Sequence, residues 1–333
     1  MRVLVTGGAG YIGSHVAREL VRAGCDVRVY DNLSTGHRRL ADGFELVVGD
    51  IGDREALALA LEGCDAVMHF AAYALVGESV EYPRKYFHNN SIGSLTLLDA
   101  ALDAGINHFV FSSTAALYGI PSTVPIPEDA PRSPVNPYGA SKLFFEHALE
   151  AYSRAYSMRF ASLRYFNAAG ADPGGDIGEL HEPETHLIPS ILLVAAGVRP
   201  LFQIFGNDYP TPDGTCIRDY IHVSDLAAGH VAALRYLTAG GESVALNLGS
   251  GRGHSVKEVV ASTETIVDRI LPKETLPRRP GDPPALVADI SRAQETLHWT
   301  PRRPLSEIIS SAWNWMQHIQ AETRHGKSPA RTI

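Results

Sequence analysis

Tyr138 and Lys142 stand four residues apart in Asn136-Pro-Tyr-Gly-Ala-Ser-Lys142. Asn136 suits a helix N-cap and Pro137 the first helical position, so the spacing predicts a helix carrying both side chains on one face. A free phenol, with a pKa of about 10, is a poor base at neutral pH. An ammonium beside it favours the phenolate and fits it for acid/base work. Alone, the pair is unspecific, because Tyr-x-x-x-Lys recurs by chance in amphipathic helices. Upstream, Ser112-Ser113-Thr114 closes an apolar strand pattern, His108-Phe-Val-Phe111. A hydroxyl from that cluster completes an acid/base trio.

Such a trio needs a scaffold that sets a helix start beside a strand end, and the N-terminal half of the chain reads as one. Residues 2–6 (Arg-Val-Leu-Val-Thr) suit a buried parallel strand. Gly7-Gly-Ala-Gly-Tyr-Ile-Gly13 follows, then a helical pattern over 14–22. Gly8, Gly10 and Gly13 fit G-x-G-x-x-G; Gly7, Gly10 and Gly13 fit the looser G-x-x-G-x-x-G. Glycines there permit a tight turn and let main-chain N–H groups approach a pyrophosphate at a helix N-terminus. The strand before and the helix after make the run specific. Asp31 closes a second strand over 26–30, where a carboxylate accepts from a ribose 2′-OH and repels a 2′-phosphate. The cofactor expected is therefore NAD rather than NADP.

Further strands at 44–48, 65–71, 108–111 and 160–165 alternate with helical stretches, and Asp50-Ile51 follows the third, within reach of an adenine. The fold class is α/β, a Rossmann-type doubly wound parallel sheet. Residues 81–104 are expected to be mostly helical, with Asn89-Asn90 inside, and the proline-rich 120–134 to be loop. Beyond 165 the pattern loosens into a second, smaller α+β domain. There 217–237 packs back on the first domain with Ser224 as a helix cap, Ser255-Val-Lys-Glu258 is a capping box, and 305–320 is a terminal helix. The division expected is 1–165 with 217–245 for the cofactor, 166–216 with 246–322 for the substrate, and a polar tail at 323–333.

Composition narrows the partners. A chain of 333 residues, 45% hydrophobic and 20% charged, is long enough for two cores. Its net charge of −8 argues against nucleic acid or an anionic membrane as the main partner. Cys25, Cys64 and Cys216 form neither a disulfide framework nor a metal pattern, so no metal is expected and a cytoplasmic setting is. No apolar run approaches about 18 residues, and no signal peptide opens the chain.

Gly-Gly-x-Gly-Tyr-Ile-Gly-Ser-His, Asp-Asn-Leu-Ser, Phe-Ser-Ser-Thr and Tyr-Gly-Ala-Ser-Lys together resemble the extended short-chain dehydrogenase/reductase family. Arg164-Tyr-Phe-Asn-Ala-Ala-Gly170, Glu184-Thr-His-Leu-Ile-Pro189 and the long run over 204–225 narrow the resemblance to the UDP-glucose 4-epimerases. It extends from Arg2 to about residue 320.

The resemblance implies hydride removal from C4 of a UDP-sugar and its return to the other face, with NAD bound throughout and two chains paired as a homodimer. Tyr138 is then the acid/base, Lys142 its charge partner and a ribose contact, and Thr114 the hydroxyl on the reacting oxygen. Cofactor contacts carried over are Gly7, Gly10, Tyr11, Ile12 and Gly13 around the phosphates, and Asp31 and Asn32 at the ribose. Asp50, Ile51, Phe70, Ala71, Asn89, Ser112 and Tyr165 complete that set, with Tyr138 and Lys142. For the substrate it implies Asn167, His186 and Leu187 near the diphosphate, Phe205 near the uracil, and Arg218 and Arg279 on the phosphates. Asp282 falls near the uridine ribose, and Leu286 on the wall facing the sugar C2 substituent, with Thr114 and Tyr138 at C4. Two positions depart from the pattern: Ala74 stands where many of these epimerases carry a lysine, and His186 where asparagine is frequent.

Related dehydratases carry Asp-Glu directly after the hydroxyl residue. Here Ala115-Ala116 cannot move a proton, which argues against dehydration. Epimerases of UDP-xylose/UDP-arabinose or UDP-N-acetylglucosamine remain as alternatives, and a non-catalytic NAD-binding sensor as a more distant one.

Overall fold

Six apolar runs become strands of one parallel sheet because each is bounded by glycine or turn residues, and all but the edge run at 45–48 are largely buried. A computed structural model describes residues 1–279 and 281–324. In its first half, strands β1 (Arg2–Thr6), β2 (Asp26–Asp31), β3 (Glu45–Val48), β4 (Ala66–His69), β5 (His108–Thr114) and β6 (Arg159–Tyr165) form. Helices α1 (Tyr11–Arg22), α2 (Arg54–Leu61), α3 (Val76–Glu81), α4 (Pro83–Tyr86), α5 (Ser94–Asp103) and α6 (Pro137–Tyr156) lie between them. The second half gives strands β7 (Asn167–Ala169), β8 (Phe202–Phe205), β9 (Ile217–His222), β10 (Val244–Leu248), β11 (Gly253–Ser255), β12 (Lys273–Leu276) and β13 (Ala285–Leu286). Its helices are α7 (Leu187–Ala195), α8 (Val223–Thr238), α9 (Val256–Ile266), α10 (Ser291–Leu297) and α11 (Leu305–Arg324).

The main sheet runs β10-β6-β5-β4-β1-β2-β3, so its strand order reverses between β1 and β4. Open α/β sheets bind ligands at the carboxyl ends of strands beside such a reversal. One face is covered by α1, α8 and α10 over a core that includes Val3, Val5, Leu226 and Trp299. The other is covered by α2, α5 and α6 over Leu4, Tyr30, Phe109 and Phe145. A third core, between α7, α9 and α11, belongs to the smaller unit, whose strands β7, β9, β11 and β13 form a separate sheet.

Several details differ from the sequence reading. β5 continues through Ser112, Ser113 and Thr114, so the hydroxyl cluster is strand rather than turn. Residues Phe87–Gly93 form a π-helical stretch inside the expected helix. Asn90 accounts for its placement: its amide is 1% exposed and clamps the Tyr73 main chain, accepting from N at 3.0 Å and donating to O at 2.9 Å. A seventh strand, β10, joins beside β6, and Trp299 and α10 also pack on the first core, past the expected limit of 245. The cap of α8 is His222, because β9 leads straight into the helix and Ser224 already lies in its first turn. The capping box at Ser255 and Glu258 forms as expected. α11 reaches Arg324, so 323 and 324 are helical and the rest of the expected tail, 325–333, lies outside the described residues. No described helix is long and apolar enough to cross a membrane.

Candidate active site

Thr114, the last residue of β5, lies next to the first turn of α6. Asn136 caps that helix, its side chain accepting from Gly139 N at 2.8 Å, with Pro137 at the first position. Gly139 is what allows the close approach: a Cβ there would lie 2.6 Å from the Ala116 carbonyl oxygen. With the helix seated, the Thr114 hydroxyl lies near the Tyr138 phenol and favours its ionisation. Thr114 Oγ1 also accepts from Ala116 N at 3.1 Å, which fixes its lone pairs and aim.

Lys142, one turn on, is 2% exposed and donates to the Ser112 carbonyl oxygen at 2.8 Å. Burial pushes its pKa down to about 7. The sequence reading expected Lys142 to lower the phenol. Instead burial raises Tyr138, and only the neighbouring Thr114 hydroxyl pulls it back. The reason is physical: the ammonium is spent on a main-chain carbonyl, and desolvation of a buried phenolate outweighs what remains. Below this pair, Glu146 of α6 is 1% exposed and accepts from Arg164 of β6 at 2.9 and 2.7 Å and from Ser113 Oγ at 2.6 Å. Breaking such a buried pair costs about 3–5 kcal/mol, so it pins α6 to the two strands that carry the site.

The cofactor side is a cradle of main chain. Gly7 has φ +73°, and a Cβ on Gly13 would lie 2.2 Å from the Gly7 oxygen, so the loop is closed as tightly as glycine allows. α1 opens at Gly10 with no side-chain cap, leaving its first N–H groups for an anion. Asp31 is 7% exposed at the end of β2 and accepts from Ala9 N at 3.0 Å and Leu33 N at 2.8 Å. A carboxylate accepts about four hydrogen bonds, so capacity remains for a ribose diol. Donors and cradle therefore fit NAD.

Tyr11 donates to the Gly170 oxygen at 2.6 Å, while Ile12 is half-buried beside it. Phe70 and Tyr165 flank the His230 ring at 5.0 and 5.6 Å, and Ser112 and Tyr165 share a hydrogen bond. Ala71 abuts Gly7. At the outer edge Asn32 donates to Asp50 at 2.7 Å. Ile51 turns its side chain into the core, so it does not present that side chain to an adenine. Asn89 donates to Asn90 at 2.9 Å, and Asn90 is the more buried of the two amides.

On the substrate side the smaller sheet assembles the expected residues. Arg218 of β9 is in register with Leu286 of β13 and forms an ion pair with Asp282. The Arg279 guanidinium lies 4.0 Å above the Phe205 ring. Asn167 donates to the Asp219 oxygen at 2.9 Å, and Asp219, which sequence reasoning missed, organises 250–251 and 288 through four bonds. Leu286 is half-buried against the cluster of Ala115, Leu117, Tyr118 and Ile126. Leu187 opens α7.

His186, expected as a phosphate donor, is engaged elsewhere: its Nδ1 lies 2.8 Å from Glu179 and 2.9 Å from Glu184. Burial opposes its charge, but the two carboxylates outweigh that and raise its pKa. Glu179, His181 and Glu184 were missed as well, although the spacing Glu-x-His-x-x-Glu-x-His was there to be read.

The model for the NAD dependent epimerase/dehydratase family matches residues 3–249. A UDP-glucose 4-epimerase from Rhizobium leguminosarum bv. trifolii is 52% identical over 94% of this chain and 96% of its own. The crystal structure of UDP-glucose 4-epimerase from Brucella ovis in complex with NAD superposes with a TM-score of 0.92 at 49% identity, covering 94% of this chain and 97% of that one. The Bifidobacterium longum enzyme in complex with NAD+ and UDP gives 0.90 at 38%, over 98% and 99%. With the glycine cradle, the Thr114–Tyr138–Lys142 arrangement and this full-length likeness, the chain belongs to the NAD dependent epimerase/dehydratase family, among its UDP-glucose 4-epimerases.

Proposed function

We propose that the chain interconverts UDP-glucose and UDP-galactose by inverting C4 through a 4-keto sugar. The observation that carries the reading is the Thr114 hydroxyl beside the Tyr138 phenol, with the buried Lys142 one turn further along the same helix. Bound NAD supplies the hydride acceptor and donor. Tyr138 takes the proton from the sugar 4-OH and later returns it, with Thr114 holding the reacting oxygen. Lys142 holds the nicotinamide ribose and, once turned from the Ser112 carbonyl, gives its charge to the phenol. Asp31 takes the adenosine ribose, and the main-chain N–H groups of Tyr11, Ile12 and Gly13 take the phosphates, with Gly7 and Gly10 shaping the loop while their own N–H groups donate to the Tyr30 and Gly7 oxygens. Arg218 and Arg279 neutralise the substrate diphosphate, aided by Asn167 and Leu187, with Phe205 at the base. For Arg218 to bind phosphate, its pair with Asp282 must loosen, which frees Asp282 for the uridine ribose. Ala115 and Ala116, flanking Thr114 with no acid, support hydride return over loss of water.

Cofactor binding is assigned to 1–165 with 217–245, extended by β10 to Leu248, and UDP-sugar binding to 166–216 with 246–322. A cytoplasmic homodimer is part of the reading. Its support is apolar surface on α3, the π stretch and α6, where Val80, Tyr82, Ile92 and Phe144 are exposed. Phe145 and Leu149, also on α6, belong to the chain's own core.

A secondary activity on UDP-N-acetylhexosamines is favoured by Leu286, which is smaller than tyrosine and has no hydroxyl to reach across the pocket. The test is product analysis of the NAD-loaded protein with UDP-glucose, UDP-N-acetylglucosamine and UDP-xylose side by side. Fastest turnover of UDP-glucose is expected; preference for another sugar reassigns the substrate, and no turnover of any removes the function. Leu286→Tyr should suppress the N-acetyl reaction while sparing the hexose, and Leu286→Cys should raise it.

A further inference from the structure

The segment leading into α7 carries four side chains that aim their metal-ligating atoms at one another. His186 Nδ1 lies 2.8 Å from Glu179 Oε1 and 2.9 Å from Glu184 Oε1, and His181 Nδ1 lies 2.8 Å from Glu179 Oε1. All four ligand atoms fall within 4.8 Å of one another, the one such grouping of three or more His, Cys, Asp or Glu among the described residues. The carboxylates are nearly covered, at 7% and 11% side-chain exposure, while the imidazoles reach the surface at 32% and 43%. Among the described residues no lysine or arginine pairs with either carboxylate, and their ionisable partners are the two rings.

The backbone that carries these groups is anchored on several sides. Trp315 Nε1 donates to the Glu179 oxygen at 2.9 Å, and Arg199 donates to the Glu184 oxygen at 2.7 Å. The Tyr11 ring meets the His181 ring edge-on at 6.3 Å. The ligands are thus held by surrounding structure rather than gathered from a free loop. A four-coordinate zinc ion, with bonds of about 2.0–2.2 Å, needs ligand atoms roughly 3.3 Å apart. The separations here, from 2.8 Å up to at most 4.8 Å, bracket that span. Two imidazole nitrogens and two carboxylate oxygens suit zinc and its neighbours rather than calcium or magnesium, which prefer oxygen alone.

We propose that Glu179, His181, Glu184 and His186 form a four-ligand site for a divalent transition ion, Zn²⁺ first. In the metal-free protein the two rings hydrogen-bond the two carboxylates; the ion takes the place of those bonds. Loading fixes the segment between Tyr11, at the opening of α1, and the start of α7, and only the bearing of that on the substrate diphosphate rests on the proposed function.

The experiment is titration of the chelator-treated, full-length, NAD-containing protein with ZnCl₂, followed by calorimetry and by metal analysis after gel filtration. One zinc per chain is expected, with Co²⁺ binding in its place to give tetrahedral visible bands and Mg²⁺ not competing. Glu179→Gln and His181→Gln should each weaken binding by at least ~10-fold. His181 is the more exposed, so its variant keeps the test open if Glu179→Gln fails to fold; circular dichroism and NAD content report folding. Absence of stoichiometric zinc in the wild type, or undiminished binding in the folded variants, overturns the site. Protein that binds zinc but turns over no UDP-sugar unseats the proposed function and leaves the site standing; protein that epimerises without taking zinc does the reverse.

Discussion

Tyr138 and Lys142 begin from protonation states that oppose their use: burial raises the phenol and lowers the ammonium. Chemistry at this pair therefore requires the lysine to change partner, from the Ser112 carbonyl to the phenol and a ribose. Tyr138→Phe should lower turnover by at least ~10²-fold, the scale of a general acid/base, with NAD content preserved. A near-normal rate in that variant would remove the tyrosine from the mechanism. The identity of the trio was legible because phenol, ammonium and hydroxyl are rare company at that spacing. The direction of the pKa shifts was not, since it depends on how completely the groups are buried. Likewise His186 could be named, but its capture by Glu179 and Glu184 depends on how residues 179–186 fold back on themselves.

α6 is positioned by contacts along its length: the Asn136 cap, Gly139 against Ala116, Lys142 on β5 and Glu146 on Arg164. Of these Gly139 is the most exacting, because the added methyl of Gly139→Ala would meet a main-chain oxygen at 2.6 Å that no rotamer can move. Relief requires the helix start to shift, and displacements near 1 Å at a catalytic group can cost ~10²-fold. Gly139→Ala should therefore lower kcat by roughly 10- to 100-fold while circular dichroism and bound NAD stay close to wild type. Unchanged kcat would mean that the turn at Ala115–Tyr118 yields instead. Strands β1 to β6 were legible as apolar runs between turn signals. β10 was not, because Asn247 interrupts the apolar run Val-Ala-Leu-Asn-Leu, which becomes a strand by pairing with β6.

At the scale of the molecule, the interior holds neutral histidines. Burial pushes His15, His222 and His230 down to about 4. In an unfolded chain they titrate near 6.5, so between about 6.5 and 4 the unfolded state binds protons that the native state refuses. His69, 1% exposed, is pushed lower still by burial. Stability therefore falls as pH drops through that window, with a slope of at most about 5 kcal/mol per pH unit for four protons. Urea unfolding at pH 7.5, 6 and 5 measures it, and His230→Phe should remove about a quarter of the slope. Equal stability at pH 7.5 and 5 would refute the assignment. A different matter follows from the path of the chain. It leaves the main sheet after β6, returns as α8 and β10, departs again, and returns once more as α10. Asn247 of β10 ties that return to the connection between β5 and α6, its amide donating to the Ile126 oxygen at 2.8 Å and its Oδ1 accepting from Tyr118 at 2.7 Å, and to the run into α10, its amide donating to the Asp289 oxygen at 3.3 Å. The smaller unit, to which sugar recognition is assigned in the proposed function, is therefore not a contiguous cassette. It cannot be cut out and grafted, nor exchanged between relatives by a single crossover, so new specificity must arise by replacing side chains in place.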